Sequence, residues 1–303
     1  GPIRELQDSL NPFHNNSTNW FKRFFNVGKI LNANVQALYG AKNYNVSTGV
    51  AIYDEKGIVR NTGFQRFTFM TNVGFTPTEY FSIAANFAVS YAKRKRNSDE
   101  MSGVKGSGAN LPQISSKPFN TSTFLPDGGV VEQKLLESID GIKEKNDDIR
   151  LRTSLSLGIN FTSWLRFVST NSVEYALSKS NRFSPSYLST NKWSKSEGNF
   201  VENRMILTEN MLTFSREFKE MHKVDILVGA SVQYDQMNSM GGLGQNGPSD
   251  YVHYVTGGWP STYTVPWGTM AMKGYGSNFT ESALISYLGR VNYSYMQKYL
   301  LEA

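Results

Sequence analysis

The sequence predicts an all-β protein whose strands cross a membrane as part of an antiparallel β-barrel. Three observations predict this class: strands of unusual length in which apolar and polar residues alternate, two strand faces of unequal polarity, and short connections that alternate with long ones. The clearest example is the hairpin over residues 64–91, in which apolar and polar side chains alternate along both arms. Each arm reaches the roughly nine to eleven residues that a tilted membrane strand needs, whereas ordinary strands have about five or six.

The two faces of this hairpin indicate lipid on one side and water on the other. One face is aromatic and β-branched, as at Phe69, Phe87 and Val89, whereas the other is small and neutral, as at Asn72 and Asn86. The second face is too polar for hydrocarbon and too poor in charge for an ordinary solvated surface, so it suits a wet lumen. A soluble β-sandwich with long strands shows the same alternation and remains an alternative.

Composition excludes several classes of protein. The chain has 303 residues, 39% of them apolar, and no run approaches the roughly twenty apolar residues that a membrane helix needs. It has no cysteine, which excludes disulfides, thiolate metal sites and thiol nucleophiles. The net charge is +6, but basic residues are scattered apart from 93–96, a cluster that lies either in solvent or beside anionic lipid headgroups. We therefore predict no nucleic-acid partner.

Alternation predicts about ten strands in chain order after a polar, irregular segment, residues 1–30. Residues 31–303 are thus predicted to form the β-barrel part of the chain. The predicted strands cover 31–38, 44–53, 67–75, 81–91, 149–161, 164–177, 200–214, 224–237, 286–295 and 299–303.

Short and long connections alternate strictly along the chain. The short turns lie near Gly40, Pro77, Thr162, Glu220 and Gln297. A medium connection is predicted over 54–63, and long loops are predicted at 94–148, which contains a helical pattern over 130–145, and at 178–199 and 238–280. Bacterial outer-membrane barrels have short periplasmic turns on one rim and long extracellular loops on the other. A compact soluble domain seldom contains such long loops.

No constellation of catalytic or metal-ligating residues is present. His14, His222 and His253 are far apart and lack the spacing of metal ligands. Residues 242–247 match the dinucleotide-binding pattern formally, but Pro248 follows them and no βαβ unit surrounds them. We predict that the chain is not an enzyme and has no catalytic residues, no metal site and no cofactor.

The segment 251–275 is the best candidate for binding. Its aromatic side chains stand among Gly, Thr and Ser, where they offer apolar faces to sugar rings or to peptide side chains. Alternatively, they pack the loop on itself or against a partner protein. The candidates are Tyr251, Tyr254, Trp259, Tyr263, Trp267 and Tyr275.

Several stretches resemble SusC/RagA-type TonB-dependent transporters. The most specific is 286–295 with the following 298–301; the others are 15–25, 44–47, 57–61 and 64–67. The resemblance covers nearly the whole chain but only part of such a transporter, which has an N-terminal plug and a barrel of about 22 strands.

The resemblance implies import of oligosaccharides or peptides across the bacterial outer membrane. TonB would drive it through a plug that is missing from this sequence, and a SusD-like surface lipoprotein would act as the lid. Residues 1–30 would then connect the plug to the barrel wall, which contacts outer-membrane lipid. Two other readings stay open: a self-contained outer-membrane pore or adhesin, and a soluble carbohydrate-binding β-sandwich.

Overall fold

A computed structural model describes residues 22, 24–95, 140–189, 191–219, 221–296 and 298–303. They form one antiparallel sheet of ten strands and a separate two-stranded hairpin. The strands are β1 (Lys29–Gly40), β2 (Tyr44–Lys56), β3 (Gly63–Thr78), β4 (Phe81–Lys95), β5 (Lys143–Thr162), β6 (Leu165–Ser184), β7 (Lys195–Phe218), β8 (His222–Gln245), β9 (Thr262–Val265), β10 (Gly268–Ala271), β11 (Lys273–Tyr295) and β12 (Tyr299–Glu302).

The sheet has the order of a meander, since neighbouring strands in space are also successive along the chain. Its order is β1 to β8, then β11 and β12, and the β9–β10 hairpin is inserted in the connection between β8 and β11. The sheet does not close on itself, which confirms the predicted partial barrel. Within the described part of the chain, no helix has the length and apolar character needed to cross a bilayer.

Short and long connections lie at opposite edges of the sheet, as predicted. At the short-turn edge the chain leaves the sheet after β1, β3, β5, β7 and β11 and returns to it at the next strand of the sheet, three or four residues later. At the long-connection edge the chain leaves the sheet after β2, β4, β6 and β8 and returns to it at β3, β5, β7 and β11. The segment before β1 also lies at the long-connection edge, because the Asn26 N–H donates to the Ile58 carbonyl at 2.6 Å and the Arg60 N–H to the Phe24 carbonyl at 3.0 Å. Residues 1–21 and 23, in the predicted connection, lie outside the described residues.

The middle strands are much longer than alternation predicts. Strands β7 and β8 each contain 24 residues. At about 3.4 Å per residue such a strand is about 80 Å long. Even when tilted by about 45°, it rises well beyond a hydrocarbon core of roughly 30 Å. These strands therefore continue past any membrane that the sheet spans.

The extra length shortens the loops that the sequence predicts. Strands β6 and β7 occupy both ends of 178–199 and leave 185–194 as the connection. Strands β8 and β11 likewise reduce 238–280 to 246–272. The physical reason is that ladder hydrogen bonds join the backbones of neighbouring strands and so continue beyond the point at which hydrophobic alternation ends. Of the predicted loop 94–148, β4 and β5 take both ends, and residues 96–139, with most of the helical pattern, lie outside the described residues.

Cross-strand pairing sorts the side chains into two faces that run through the sheet. We call one the apolar face; its members include Phe69, Val89, Leu151 and Val228. We call the other the polar face; its members include Asn86, Ser154, Ser172, Glu174 and Asp235. Val228 is 48% exposed, so the apolar face does not cover a closed, dry interior formed by the described residues.

Candidate functional site

The polar face is a wall of short polar side chains that bond to one another across the strands. The Asn86 amide Nδ2 donates to the Ser154 hydroxyl at 3.0 Å. The hydroxyls of Ser156 on β5 and Thr170 on β6 lie 3.1 Å apart. Such groups are hydrated easily and do not bind one another strongly. The face therefore suits a water-filled passage.

An ion pair stands in this wall between β5 and β6. The Arg152 Nε and Nη2 atoms both lie 3.1 Å from the same carboxylate oxygen of Glu174, directly across the ladder. The Arg152 side chain is two-thirds exposed, and exposed pairs of this kind contribute little to folding stability. Its charges consequently remain available to a ligand.

Two recesses adjoin this ion pair. A recess of about 330 Å³ is lined mainly by polar-face residues of β3 to β7, among them Met70, Asn86 and Arg152. A second recess of about 380 Å³ is lined by residues of β5 to β8 and β11, among them Arg150 and Asp235. Glu174 and Met205 line both recesses. The two recesses thus offer carboxylates, guanidinium groups and flexible thioether side chains to a ligand in the passage.

At the long-connection edge, the loop 246–272 folds back on the ends of the strands. We call the buried residues where the loop meets the strand ends the loop core: Phe183, Ser194 and Ser196 of β6, β7 and their connection, with Trp259 and Met272 of the loop. Trp259 is only 1% exposed. Its large ring needs glycines beside it, since a Cβ atom on Gly244 or on Gly247 would lie 2.7 Å from a Trp259 ring carbon.

Hydrogen bonds hold this loop to the connection between β6 and β7 and to the start of β7. The Asp250 carboxylate accepts from the Ser186 N–H at 2.7 Å and from the Ser186 hydroxyl at 2.8 Å. The Ser196 hydroxyl donates to the His253 carbonyl at 2.8 Å, and the Gly247 N–H donates to the Ser194 hydroxyl at 3.0 Å. These bonds, with the loop core, give the segment one defined conformation.

The six aromatic candidates do not share one environment. Trp259 packs inside the loop core, so it stabilises the loop and presents no face to a ligand in this conformation. Tyr263 makes an edge contact with Trp193, with ring centroids 4.9 Å apart. Tyr251, Trp267 and Tyr275 are 93%, 83% and 96% exposed. Tyr254 is about half exposed and lines a cleft on the apolar face. Contact of the five exposed residues with a substrate or lid stays a prediction.

Sequence reasoning missed the Arg152–Glu174 pair. A β-bulge between Asn160 and Thr162 shifts the register of the β5–β6 hairpin by one residue. Counting outward from the turn would pair Arg152 with Tyr175, whereas the shifted ladder pairs Arg152 with Glu174 and places both on the polar face. No group of His, Cys, Asp or Glu side chains arranged to hold a metal ion occurs among the residues that the structure describes.

No protein-family model matches the sequence. Two relatives do, both TonB-dependent receptors of Formosa agariphila: receptor P26 is 23% identical over 297 residues and receptor P3 is 23% identical over 295. Each alignment covers 94% of this chain but only 28% of the relative, so the chain spans little more than a quarter of the receptors it matches.

Solved structures of the RagAB peptide importer have the same fold. The TM-score is 0.77 for the "closed-closed" state and 0.75 for the "open-open" state, at 13% sequence identity. In both, the match covers 95% of this chain and 32% of the other. The named relatives are receptors and importers rather than enzymes.

Proposed function

We propose that this chain, a homologue of TonB-dependent receptors whose sheet has the fold of part of a RagA-type barrel, forms the wall of an outer-membrane importer. One observation carries the proposal: a single sheet combines an exposed apolar face with a polar face that contains two charged recesses. Such a sheet separates lipid from water only if it encloses a passage. The chain covers about a quarter of its receptor relatives, so the activity belongs to a larger protein.

In this proposal the polar face lines the route of the substrate. The recesses beside Arg152 and Glu174 hold polar parts of the substrate transiently, while the strands beyond the membrane and the loop 246–272 meet it first. A SusD-like surface lipoprotein would cover the long-connection edge, and TonB would act through a plug region. The names of the TonB-dependent receptor relatives support TonB as a partner, and the resemblance to SusC/RagA-type transporters supports the lipoprotein.

The substrate class is an oligosaccharide or a peptide. Exposed Tyr251, Trp267 and Tyr275 favour sugar rings or apolar side chains, since both bind to aromatic faces. The guanidinium and carboxylate groups around Glu174 favour a substrate with charges of both signs, which a peptide carries. A transport assay with labelled peptides and labelled neutral oligosaccharides in cells with and without TonB decides between them. Uptake that does not depend on TonB would favour a pore, and no uptake would favour an adhesin.

The orientation of the wall is tested by single cysteines, because the chain has none of its own. Val228 lies on the apolar face and Ser231, three residues along β8, lies on the polar face. In the full-length protein in vesicles, we expect a label on V228C to be quenched by a lipid-soluble quencher. We expect S231C to react with a water-soluble maleimide. The reverse pattern, or equal behaviour at both sites, contradicts the proposal.

A further inference from the structure

Three lysines surround one carboxylate on the apolar face near the long-connection edge. Lys93, Asp147 and Lys179 are direct cross-strand partners on β4, β5 and β6. The Lys145 ammonium lies 3.8 Å from the Asp147 carboxylate, and the Tyr91 hydroxyl donates to the same group at 2.8 Å. We call Lys93, Lys145 and Lys179 the lysine cluster.

The lysine cluster has more positive charge than its neighbours neutralise. Among the residues described there, Asp147 is the carboxylate that faces all three lysines. Glu202, one row nearer the short-turn edge, is already bound by the Arg204 guanidinium at 2.7 Å. Among these described side chains, two positive charges therefore remain in excess.

Aromatic rings hold two of these ammonium groups at the surface. The Lys93 Nζ atom is 5.5 Å from the centroid of the Tyr91 ring, and the Lys179 Nζ atom is 5.8 Å from that of the Phe200 ring. The Lys145 side chain is 69% exposed. Exposed cation–π contacts are weak, about 0.5–1 kcal/mol, so an anion can recruit both lysines.

A cleft of about 410 Å³ lies beside the cluster and has an apolar floor. Lys145 and Lys179 line it together with Phe200, Met240 and Tyr254. The adjoining row toward the short-turn edge contains Ile149 and Leu177, which belong to the apolar face. Cations are thus placed where the lipid-facing band of the sheet ends, with apolar surface directly below them.

We propose that the lysine cluster and this cleft bind the phosphorylated headgroup of a lipid in the outer leaflet, with its acyl chains along the apolar face. Charge complementarity selects the phosphates, and the apolar floor distinguishes a lipid from a soluble phosphate. The proposal rests on the outward orientation of the apolar face given under Proposed function. It adds a lipid site outside the passage.

The test uses the full-length protein in detergent and measures lipid binding by native mass spectrometry. The probes are bis-phosphorylated lipid A, the same lipid without its phosphates, and inorganic phosphate. The variant is K145Q/K179Q. The matched control is K42Q/K223Q, which removes the same charge at the short-turn edge. A third variant, Asp147→Asn, removes the counter-charge.

Each lysine near an anionic lipid contributes about a factor of five to binding. We expect K145Q/K179Q to bind bis-phosphorylated lipid A about 30-fold more weakly than the control, with no change for the dephosphorylated lipid. Asp147→Asn should bind it several-fold more tightly. Equal affinity in K145Q/K179Q and the control overturns the site. Displacement of the lipid by millimolar phosphate would show that the lysine cluster binds phosphate rather than a lipid. If neither lipid binds any of the proteins, the lipid site is overturned, and the cysteine labels at positions 228 and 231 show separately whether the outward orientation holds.

Discussion

The apolar side chains of this protein occur in two regions with different surroundings: the membrane-facing wall and the loop core. In the wall, Val228 is about half exposed and Ile285 and Tyr287 even more so. In the loop core, Phe183, Trp259 and Met272 are each about 1% exposed. The residue types are similar, but lipid would solvate the first group and the protein's own loop covers the second. Burial measured on the protein alone therefore identifies a core only where water is the solvent.

The long strands explain why the loop core lies where it does. Phe183 belongs to the apolar face, but it lies near the end of β6 at the long-connection edge, in one row with Ser196 and Gly244. Beyond the membrane this face has no hydrocarbon to cover it, so the loop 246–272 folds over it instead. The backbone that would otherwise be a free loop acquires a packed interior.

The largest expected effect is in the loop core. Trp259→Ala removes a fully buried ring, and such a change costs about 3–5 kcal/mol. We expect the loop 246–272 to become sensitive to limited proteolysis while the barrel strands stay protected. The matched control is Trp267→Ala, which removes an 83% exposed ring and should change stability by less than about 0.5 kcal/mol. Equal protease sensitivity of the two variants would disprove the loop core.

The next effect is in the wall. Val228→Arg places a charge on the lipid face, which costs about 2–4 kcal/mol near the bilayer midplane. Ser231→Arg makes the same side chain on the polar face, where water solvates it. Urea titration of folding into lipid vesicles gives both free energies. The proposed orientation is wrong if Ser231→Arg is the more costly of the two.

A smaller effect is expected at the bonds between the loop 246–272 and the connection that follows β6. Asp250→Ala removes the acceptor of two hydrogen bonds from Ser186 and leaves its N–H unpaired, which costs about 1–3 kcal/mol. Ser186→Ala removes only the hydroxyl bond and should cost less. Hydrogen exchange of the amide at position 186 reports the change. Faster exchange in Ser186→Ala than in Asp250→Ala would contradict this assignment.

The smallest effect on stability is expected at Arg152. Arg152→Gln breaks an exposed ion pair, so the free energy of unfolding should change by less than about 1 kcal/mol. Substrate binding should nevertheless weaken, because the recess beside Glu174 loses its cation. Isothermal titration with the transported substrate measures this weakening. The companion variant Glu174→Gln removes the negative charge of the pair instead of the positive one. Unchanged substrate affinity in both variants would show that the recesses do not bind the substrate.

The sequence predicted the wall well, and the reason is the bilayer. Residues 64–91 alternate as expected of strands with lipid on one face and water on the other, and the two long arms that form β3 and β4 were therefore placed correctly. The ends of β6 and β8 could not be predicted in this way, because residues 178–184 and 238–245 show no alternation, and the loop 246–272 rather than lipid covers part of their apolar face. Among the aromatic candidates, the composition of the loop did not distinguish buried Trp259 from exposed Trp267.

Periodicity and connection length, which are local properties of the chain, were enough to predict the membrane-barrel class, the two faces and the order of the strands. The tertiary structure alone decided the pairing of Arg152 with Glu174, the burial of Trp259 and the assembly of the lysine cluster around Asp147. Each of these depends on which residues stand opposite one another across strands. A single bulge or a folded loop changes that arrangement without altering the alternation of the sequence.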